Sequence, residues 1–315
     1  MQVVQTDQAQ SKNLFRVEKV SYIGPAEILA SITTAAWLDR FVEEQRLLAA
    51  SERPGDREEQ ASYLRHMSLA GRRVAELHAA LASNEQLPEF APEPVKREDI
   101  QRWTDDILTR AERIFDTLKH RRDLLKEADR PLADQLLALQ GVLPDRLKAL
   151  LPREIDGLSI RHHGDLHLGQ LLTVKDDIFI VDFDGEQQRP IADRRRKAPA
   201  ARDVASLISS IDYSATAALE RALKVAHDEQ GKLGTALGEW RDRATTAFLA
   251  AYRETMGHQR LWPSDPKAAE GVLTFFLLEK AFYEIEYELS FRPDWVRMPL
   301  TGVIRMLLQP SLEAS

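Results

Sequence analysis

Hydrophobic positions recur at helical spacing over most of this chain. Between Ala61 and Leu81 the apolar residues Leu64, Met67, Leu69, Val74, Leu77 and Leu81 fall among charged ones, so a long amphipathic helix is expected there. Trp37 to Ala50 has a helical pattern too, and Ser51 to Gly55 interrupts it. A proline-rich connector at Pro88–Pro94 precedes two further predicted helices, over Asp99–Lys126 and Pro131–Leu150, and Pro152 closes that block. From Asp203 onward the pattern reads as helix. Strand-like runs are few. Leu14 to Ile23 alternates and stops at Gly24-Pro25, while Leu158–Arg161, Leu171–Val174 and Ile178–Val181 are short apolar runs suited to strands. Lys175-Asp176-Asp177 makes the turn between the last two, and His163 to Gln170 form a polar loop ahead of them. The expected architecture is α+β, predominantly α, with a small β-hairpin.

That hairpin concentrates the chemistry. His162-His163-Gly164-Asp165-Leu166-His167-Leu168-Gly169-Gln170 enters it, and Ile178-Phe179-Ile180-Val181-Asp182-Phe183-Asp184-Gly185 leaves it. The arrangement is expected to place Asp165, Gln170 and Asp182 at one rim. A phosphoryl-transfer site needs one carboxylate to orient an attacking hydroxyl, and oxygen ligands to hold Mg²⁺ on nucleotide phosphates. Asp165 is the candidate catalytic base; Gln170 and Asp182 are candidate Mg²⁺ ligands. His163 and His167, four residues apart, could suggest zinc, but only on a helix, and Gly164 and Gly169 argue against one. They are expected to brace the loop by hydrogen bonds and hold Asp165 in place.

The bulk numbers narrow the classes. At 315 residues and 43% hydrophobic the chain can bury a real core, in one or two domains. A formal net charge of −7 argues against general nucleic-acid binding. No apolar stretch is long enough for a membrane span, and the polar start carries no signal-type segment. With no cysteine, disulfides and thiolate chemistry are excluded, which fits a cytoplasmic location.

The ordered motifs resemble the aminoglycoside-phosphotransferase-like branch of the protein-kinase fold, whose catalytic loop reads H-G-D-x-H-x-x-N and whose metal motif reads D-x-D or D-F-x-G. Gln170 in place of Asn, Asp182-Phe183-Asp184-Gly185-Glu186, the run Arg194–Lys197, Arg202-Asp203, and Glu279-Lys280-Ala281-Phe282-Tyr283-Glu284 followed by Arg292-Pro293 and Trp295 look most like maltokinases, closest to those joined to trehalose synthase. The resemblance covers roughly Arg72 to the end. It implies a kinase-like C-terminal lobe over 51–315, with the catalytic loop at 161–186 and a helical sugar-binding part at 203–315. It also implies ATP as co-substrate with Mg²⁺, maltose phosphorylated to maltose 1-phosphate, and trehalose synthase as a partner. One departure is Gln187 where the family has proline after Gly-Glu. A second concerns the N-terminal lobe, expected to be reduced or missing: residues 1–50 are read as its remnant, without a glycine-rich phosphate loop, Lys19 being the only lysine in a strand-like context.

Glu279, Tyr283, Glu286 and Tyr287 share one helix face, with Phe276, Phe282 and Ile285 turned to the core. By pattern this is a solvated face with ion pairs; by the resemblance, Lys280, Tyr283, Tyr287 and Trp295 bind the sugar. Arg202 and Asp203 are expected to form a structural ion pair under the site. Two alternatives stand beside the maltokinase reading. One is another sugar kinase of the same fold, such as a glucosamine kinase, which would not need so extended an aromatic stripe. The other is a catalytically weak module that docks on trehalose synthase.

Overall fold

The computed structural model describes residues 27–47, 55–174, 176–186, 189–225, 229–257 and 259–308. The strand expected at Leu14–Ile23, with Lys19, lies outside them, as does much of the lobe remnant expected at 1–50. In chain order the elements are β1 (Glu27–Leu29), α1 (Ala30–Leu47), α2 (Gly55–Leu81), β2 (Glu93–Pro94), α3 (Arg97–His120), α4 (Arg130–Ala138), α5 (Leu143–Leu150) and β3 (Leu158–Ile160). There follow β4 (Leu171–Val174), β5 (Asp177–Ile180), α6 (Ile191–Arg194), β6 (Ala198–Pro199), α7 (Ala201–Leu223), α8 (Gln230–Met256), α9 (Pro266–Phe291) and α10 (Arg297–Leu308). Among the described residues no helix is long and apolar enough to cross a membrane. The chain divides into two compact units, one of Met1–Phe90, His163–Arg195 and Ser210–Gln259, the other of Ala91–His162, Arg196–Ser209 and Arg260–Ser315.

In the first unit α2 lies against α8. The contact is close because Gly71 has no side chain: a methyl group there would overlap the Phe248 carbonyl oxygen. Trp37 of α1 stacks on Tyr63 of α2 at 4.7 Å and on Trp240 of α8 at 5.8 Å, so aromatic rings fill the space between the three helices. The buried Tyr63 hydroxyl is satisfied by Thr34 Oγ1 at 2.8 Å. The antiparallel sheet β1-β4-β5 sets Leu172 opposite both Leu29 and Phe179. Its turn is fastened to α2, where Arg73 donates from Nε to Asp177 Oδ1 at 2.7 Å and from Nη2 to Oδ2 at 3.1 Å. That forked hydrogen bond holds the Asp177 carboxyl below its ordinary pKa.

Gly71→Ala is expected to lower stability by about 1–3 kcal/mol, because the helices must separate to admit a methyl group. Gly141→Ala is the control, since a Cβ there meets nothing within 4 Å. Equal melting temperatures for the two variants would show that α2 and α8 do not depend on this approach.

In the second unit Trp103 of α3 meets Phe276 of α9 edge-on at 5.4 Å, and Gly271 of α9 lets the Leu150 carbonyl come close. Asp265 caps α9 by accepting from Ala268 N at 2.7 Å, and Pro266 starts the helix with its φ preset. The small sheet β2-β3-β6 sets Ser159 opposite Glu93 and Pro199. Leu158–Ile160, expected as the lead-in to the hairpin, therefore pairs in a different sheet. Pro94 and Pro199 sit on the two edge strands, where a missing N–H is tolerated. The single helix expected over Pro131–Leu150 is two, α4 and α5, with the turn containing Gly141 between them. Pro144 fits the first turn of α5.

Candidate active site

The catalytic loop and the end of β5 belong to the first unit and are held together by His163. Its Nδ1 accepts from the Asp165 backbone N–H at 3.3 Å, so the ring proton is on Nε2, which donates to the Val181 carbonyl at 2.9 Å. The ring also packs against Phe183 at 4.9 Å. One buried imidazole thus grips both neighbours of Asp182 and the backbone of Asp165. Gly164 adopts φ +84° and Asp182 φ +63°, the latter the only non-glycine residue with positive φ among those described. Aspartate tolerates this region better than most residues, at a cost of order 1–3 kcal/mol, and such outliers gather at functional sites. The bend comes two residues after β5 ends at Ile180, and the Val181 N–H between still reaches the Gln170 carbonyl at 3.0 Å.

His167 caps the short 3₁₀ turn Leu168–Gln170, its Nδ1 accepting from Gly169 N–H at 3.0 Å. Ser210 of α7 completes the turn by accepting from Leu168 N–H at 2.9 Å. Nothing in the loop sequence pointed to Ser210, which lies forty residues on. The turn delivers Gln170 beside Asp182, with Gln170 Nε2 at 3.3 Å from Asp182 Oδ2 and 3.4 Å from His167 Nε2. Gln170 and Asp182 thus meet as an amide and an exposed carboxylate, and Asp165, half-buried, is tied to them through the His163 ring. Those two hard donors fit Mg²⁺, an ion that keeps several waters and completes its shell with phosphate oxygens. No group of three or more His, Cys, Asp or Glu that could form an all-protein cage occurs among the described residues. Gln187 and Gln188, where the motif departs from its family's proline, lie outside the described residues.

Lys280, Tyr283, Tyr287 and Trp295 lie in the second unit, on α9 and the turn after it. Lys280 Nζ sits 4.9 Å from the Tyr283 ring centre and Arg110 at 5.4 Å; Tyr283 stacks on Tyr287 at 6.5 Å. Arg292 lies over Tyr287 at 5.2 Å and Trp295 at 6.0 Å. The aromatic stripe is thus a ladder of rings and cations. Glu286 on the same helix receives Arg110 and Arg113, each at 2.8 Å; burial pushes its carboxyl up, but the two guanidinium hydrogen bonds outweigh this and its pKa falls. Phe276, Phe282 and Ile285 are buried. Arg202 does not turn to Asp203, as the sequence suggested, but makes an ion pair with the buried Glu279. A neighbour in sequence on one helix points elsewhere, whereas Glu279 comes across from α9.

No family model matches the chain. Over 239 residues it is 28% identical to a glucosamine kinase of Streptacidiphilus jiangxiensis, covering 73% of this chain and 46% of that protein. A glucosamine kinase of Mycolicibacterium smegmatis is 29% identical over 230 residues, covering 72% and 49%. A solved glucosamine kinase, in complex with glucosamine, ADP and inorganic phosphate, aligns with a TM-score of 0.68 at 20% identity, over 90% of this chain and 62% of that one. A further crystal form of a glucosamine kinase gives 0.68 at 21%. The fold is accordingly a mostly helical α+β fold with small sheets, shared with a sugar kinase. The chain spans about half the length of the curated relatives it matches.

These relatives correct the maltokinase expectation. They are glucosamine kinases, and with that identification go maltose, maltose 1-phosphate and trehalose synthase as substrate, product and partner. The motifs behind the expectation lie mostly in the catalytic loop and the segment after β5, the part expected to handle phosphate and metal rather than the sugar. The aromatic stripe that weighed against a monosaccharide kinase also carries cations of its own, so its length is no measure of the sugar's size.

Proposed function

We propose that this chain carries the catalytic part of an ATP-dependent sugar kinase acting on an amino sugar of the glucosamine kind. The observation that carries the reading is the approach of the Gln170 amide to Asp182 at 3.3 Å, with Asp182 in a left-handed backbone conformation and the Asp165 backbone tied through His163 to the Val181 carbonyl before it. Asp165 would accept a hydrogen bond from the attacking sugar hydroxyl and orient it toward the γ-phosphate. Gln170 and Asp182 would hold Mg²⁺, which when bound offsets the charge of the nucleotide phosphates. His163 fixes both ends of this arrangement. The similarity to glucosamine kinases supports the sugar class, and the ADP bound in one solved relative supports the nucleotide. Lys280, Tyr283, Tyr287 and Trp295 are proposed to contact the sugar, through ring faces and charged hydrogen bonds.

Titration calorimetry with Mg·ADP tests the nucleotide and metal end directly. Asp182→Asn is expected to weaken Mg·ADP binding by tenfold or more with an unchanged melting temperature. A protein that takes up no Mg·ADP, or an Asp182→Asn variant that binds it as the parent does, would overturn the reading.

A further inference from the structure

Past β5 the backbone turns into the left-handed region at Asp182, φ +63°, and again at Gly185, φ +70°. Glycine takes that conformation freely, whereas aspartate keeps it only where its surroundings over-determine it. On the near side the constraint is the pair of bonds at Val181, whose N–H meets the Gln170 carbonyl and whose carbonyl receives His163. On the far side it is Arg194, the last residue of α6. Arg194 Nη1 donates to the Asp184 carbonyl at 3.0 Å. Its stem lies over Gly185, where an added Cβ would stand 3.5–3.6 Å from the Arg194 Cδ, Cβ and Cγ. The base of that side chain is fixed in turn, because the Asp193 and Arg194 N–H groups both bond the Pro190 carbonyl, at 2.9 and 3.1 Å. Arg194 Nε is buried with no hydrogen-bond partner among the described residues. A buried N–H left unmet costs free energy, so other contacts hold this side chain in place, and those are the Asp184 carbonyl and the cover over Gly185.

We infer that Arg194 is a positioning residue that clamps the segment from Asp182 to Gly185 and so keeps the Asp182 carboxylate set for the metal. This rests on the proposed function, which makes Asp182 a metal ligand, and extends it to a residue that acts through the backbone. Without the Nη1 bond the Asp184 carbonyl can turn, and Asp182 can relax toward the extended region that suits it better. Metal binding must then restore the strained conformation, and the cost falls on metal affinity. Groups that hold a metal ligand in place typically matter by about 10- to 100-fold in affinity.

The clamp can be released from either side. Arg194→Met keeps an aliphatic cover over Gly185 and loses the donor. Gly185→Ala keeps the arginine but strains the backbone at φ +70°, and the shift that relieves it carries the Asp184 carbonyl away. Mn²⁺ with ADP, followed by the electron paramagnetic resonance signal of free Mn²⁺, reports affinity without turnover. Arg194→Met is expected to bind Mn²⁺·ADP about tenfold more weakly at an unchanged melting temperature. Gly185→Ala should show a similar loss, and the double variant no more than the larger single loss, because both release one clamp. That comparison reads the coupling even if Gly185→Ala lowers the melting temperature. Calorimetry with ADP in EDTA should find the same affinity in Arg194→Met as in the parent, since the clamp serves the metal ligand and not the phosphates.

Parental Mn²⁺·ADP affinity in Arg194→Met, losses that add in the double variant, or an equal weakening of metal-free ADP overturns the inference; the last would make Arg194 a direct phosphate contact. In each of these cases a weakened Asp182→Asn variant leaves the site assignment standing. An Asp182→Asn variant that binds Mn²⁺·ADP like the parent, or a parent that binds none, overturns the site assignment itself, and the inference with it.

Discussion

Asp165→Asn is expected to reduce glucosamine-dependent release of ADP from Mg·ATP by about 10²- to 10⁴-fold, the range typical of a lost general base. The substitution keeps size and shape, and the backbone N–H that fastens this residue to His163 Nδ1 is untouched. The fold should therefore hold, and so should Mg·ADP affinity, because Gln170 and Asp182 are the proposed metal ligands. What is lost is a charged acceptor for the proton of the attacking hydroxyl. A coupled assay of ADP production, run beside calorimetry and a melting curve, separates the possibilities. Turnover within tenfold of the parent would remove Asp165 from the chemistry. Loss of Mg·ADP binding together with turnover would make it part of the metal site instead.

The rim was legible in the sequence because its chemistry is local. Asp165, His167 and Gln170 lie within six residues, and the apolar runs on either side of Lys175–Asp177 force the chain back so that Asp182 returns to them. Glycine at 164 and 169 argued against a helix, and with it against a zinc reading. The hydrogen bonds of His163 could be anticipated in kind but not in target, since the Val181 carbonyl becomes available only when β5 pairs with β4. Ser210 and the Arg73–Asp177 pair were beyond reach, because each joins segments whose proximity is set by packing rather than by spacing. The second sheet was invisible for a different reason. Its outer strands, Glu93–Pro94 and Ala198–Pro199, have two residues each, too few to show alternation, and both contain the residue least associated with strands.

The helices followed their periodicity where they are long, and failed where a turn was short. Ala61–Leu81 is the C-terminal part of α2, whose start at Gly55 falls in the stretch read as a break. The split of α4 from α5 turns on Leu139–Val142, where the apolar period continues across the gap and only Gly141 marks it. Sugar identity was the largest misreading. Motifs that handle phosphate and metal answer to one reaction across many substrates, so they pointed firmly to phosphoryl transfer while leaving the sugar to a stripe of tyrosines. That stripe is read differently once its cations are placed.

Glu279 shows what is at stake in that second reading, because on the helix face it belongs with the tyrosines, yet its side chain is about 7% exposed and paired with Arg202, itself about 19% exposed. Removing one partner of a buried ion pair leaves an uncompensated charge in a poor solvent, and costs about 3–5 kcal/mol. Glu279→Ala is expected to lower stability by that much, a fall in melting temperature on the order of 10 °C for a protein of this size. Replacing both partners with apolar residues of similar length, Glu279→Met with Arg202→Met, should recover part of the loss, because the Arg202 charge is then removed together with its carboxylate. Were Glu279 instead held for the sugar, its removal would weaken glucosamine binding and leave the melt nearly unchanged. A loss below about 1 kcal/mol in Glu279→Ala, or a double variant no more stable than the single one, would show that the pair does not carry the stability its burial implies. The expected pattern, a large single loss and a double recovery, assigns Glu279 to the frame that fixes α9 to the start of α7 within the second unit.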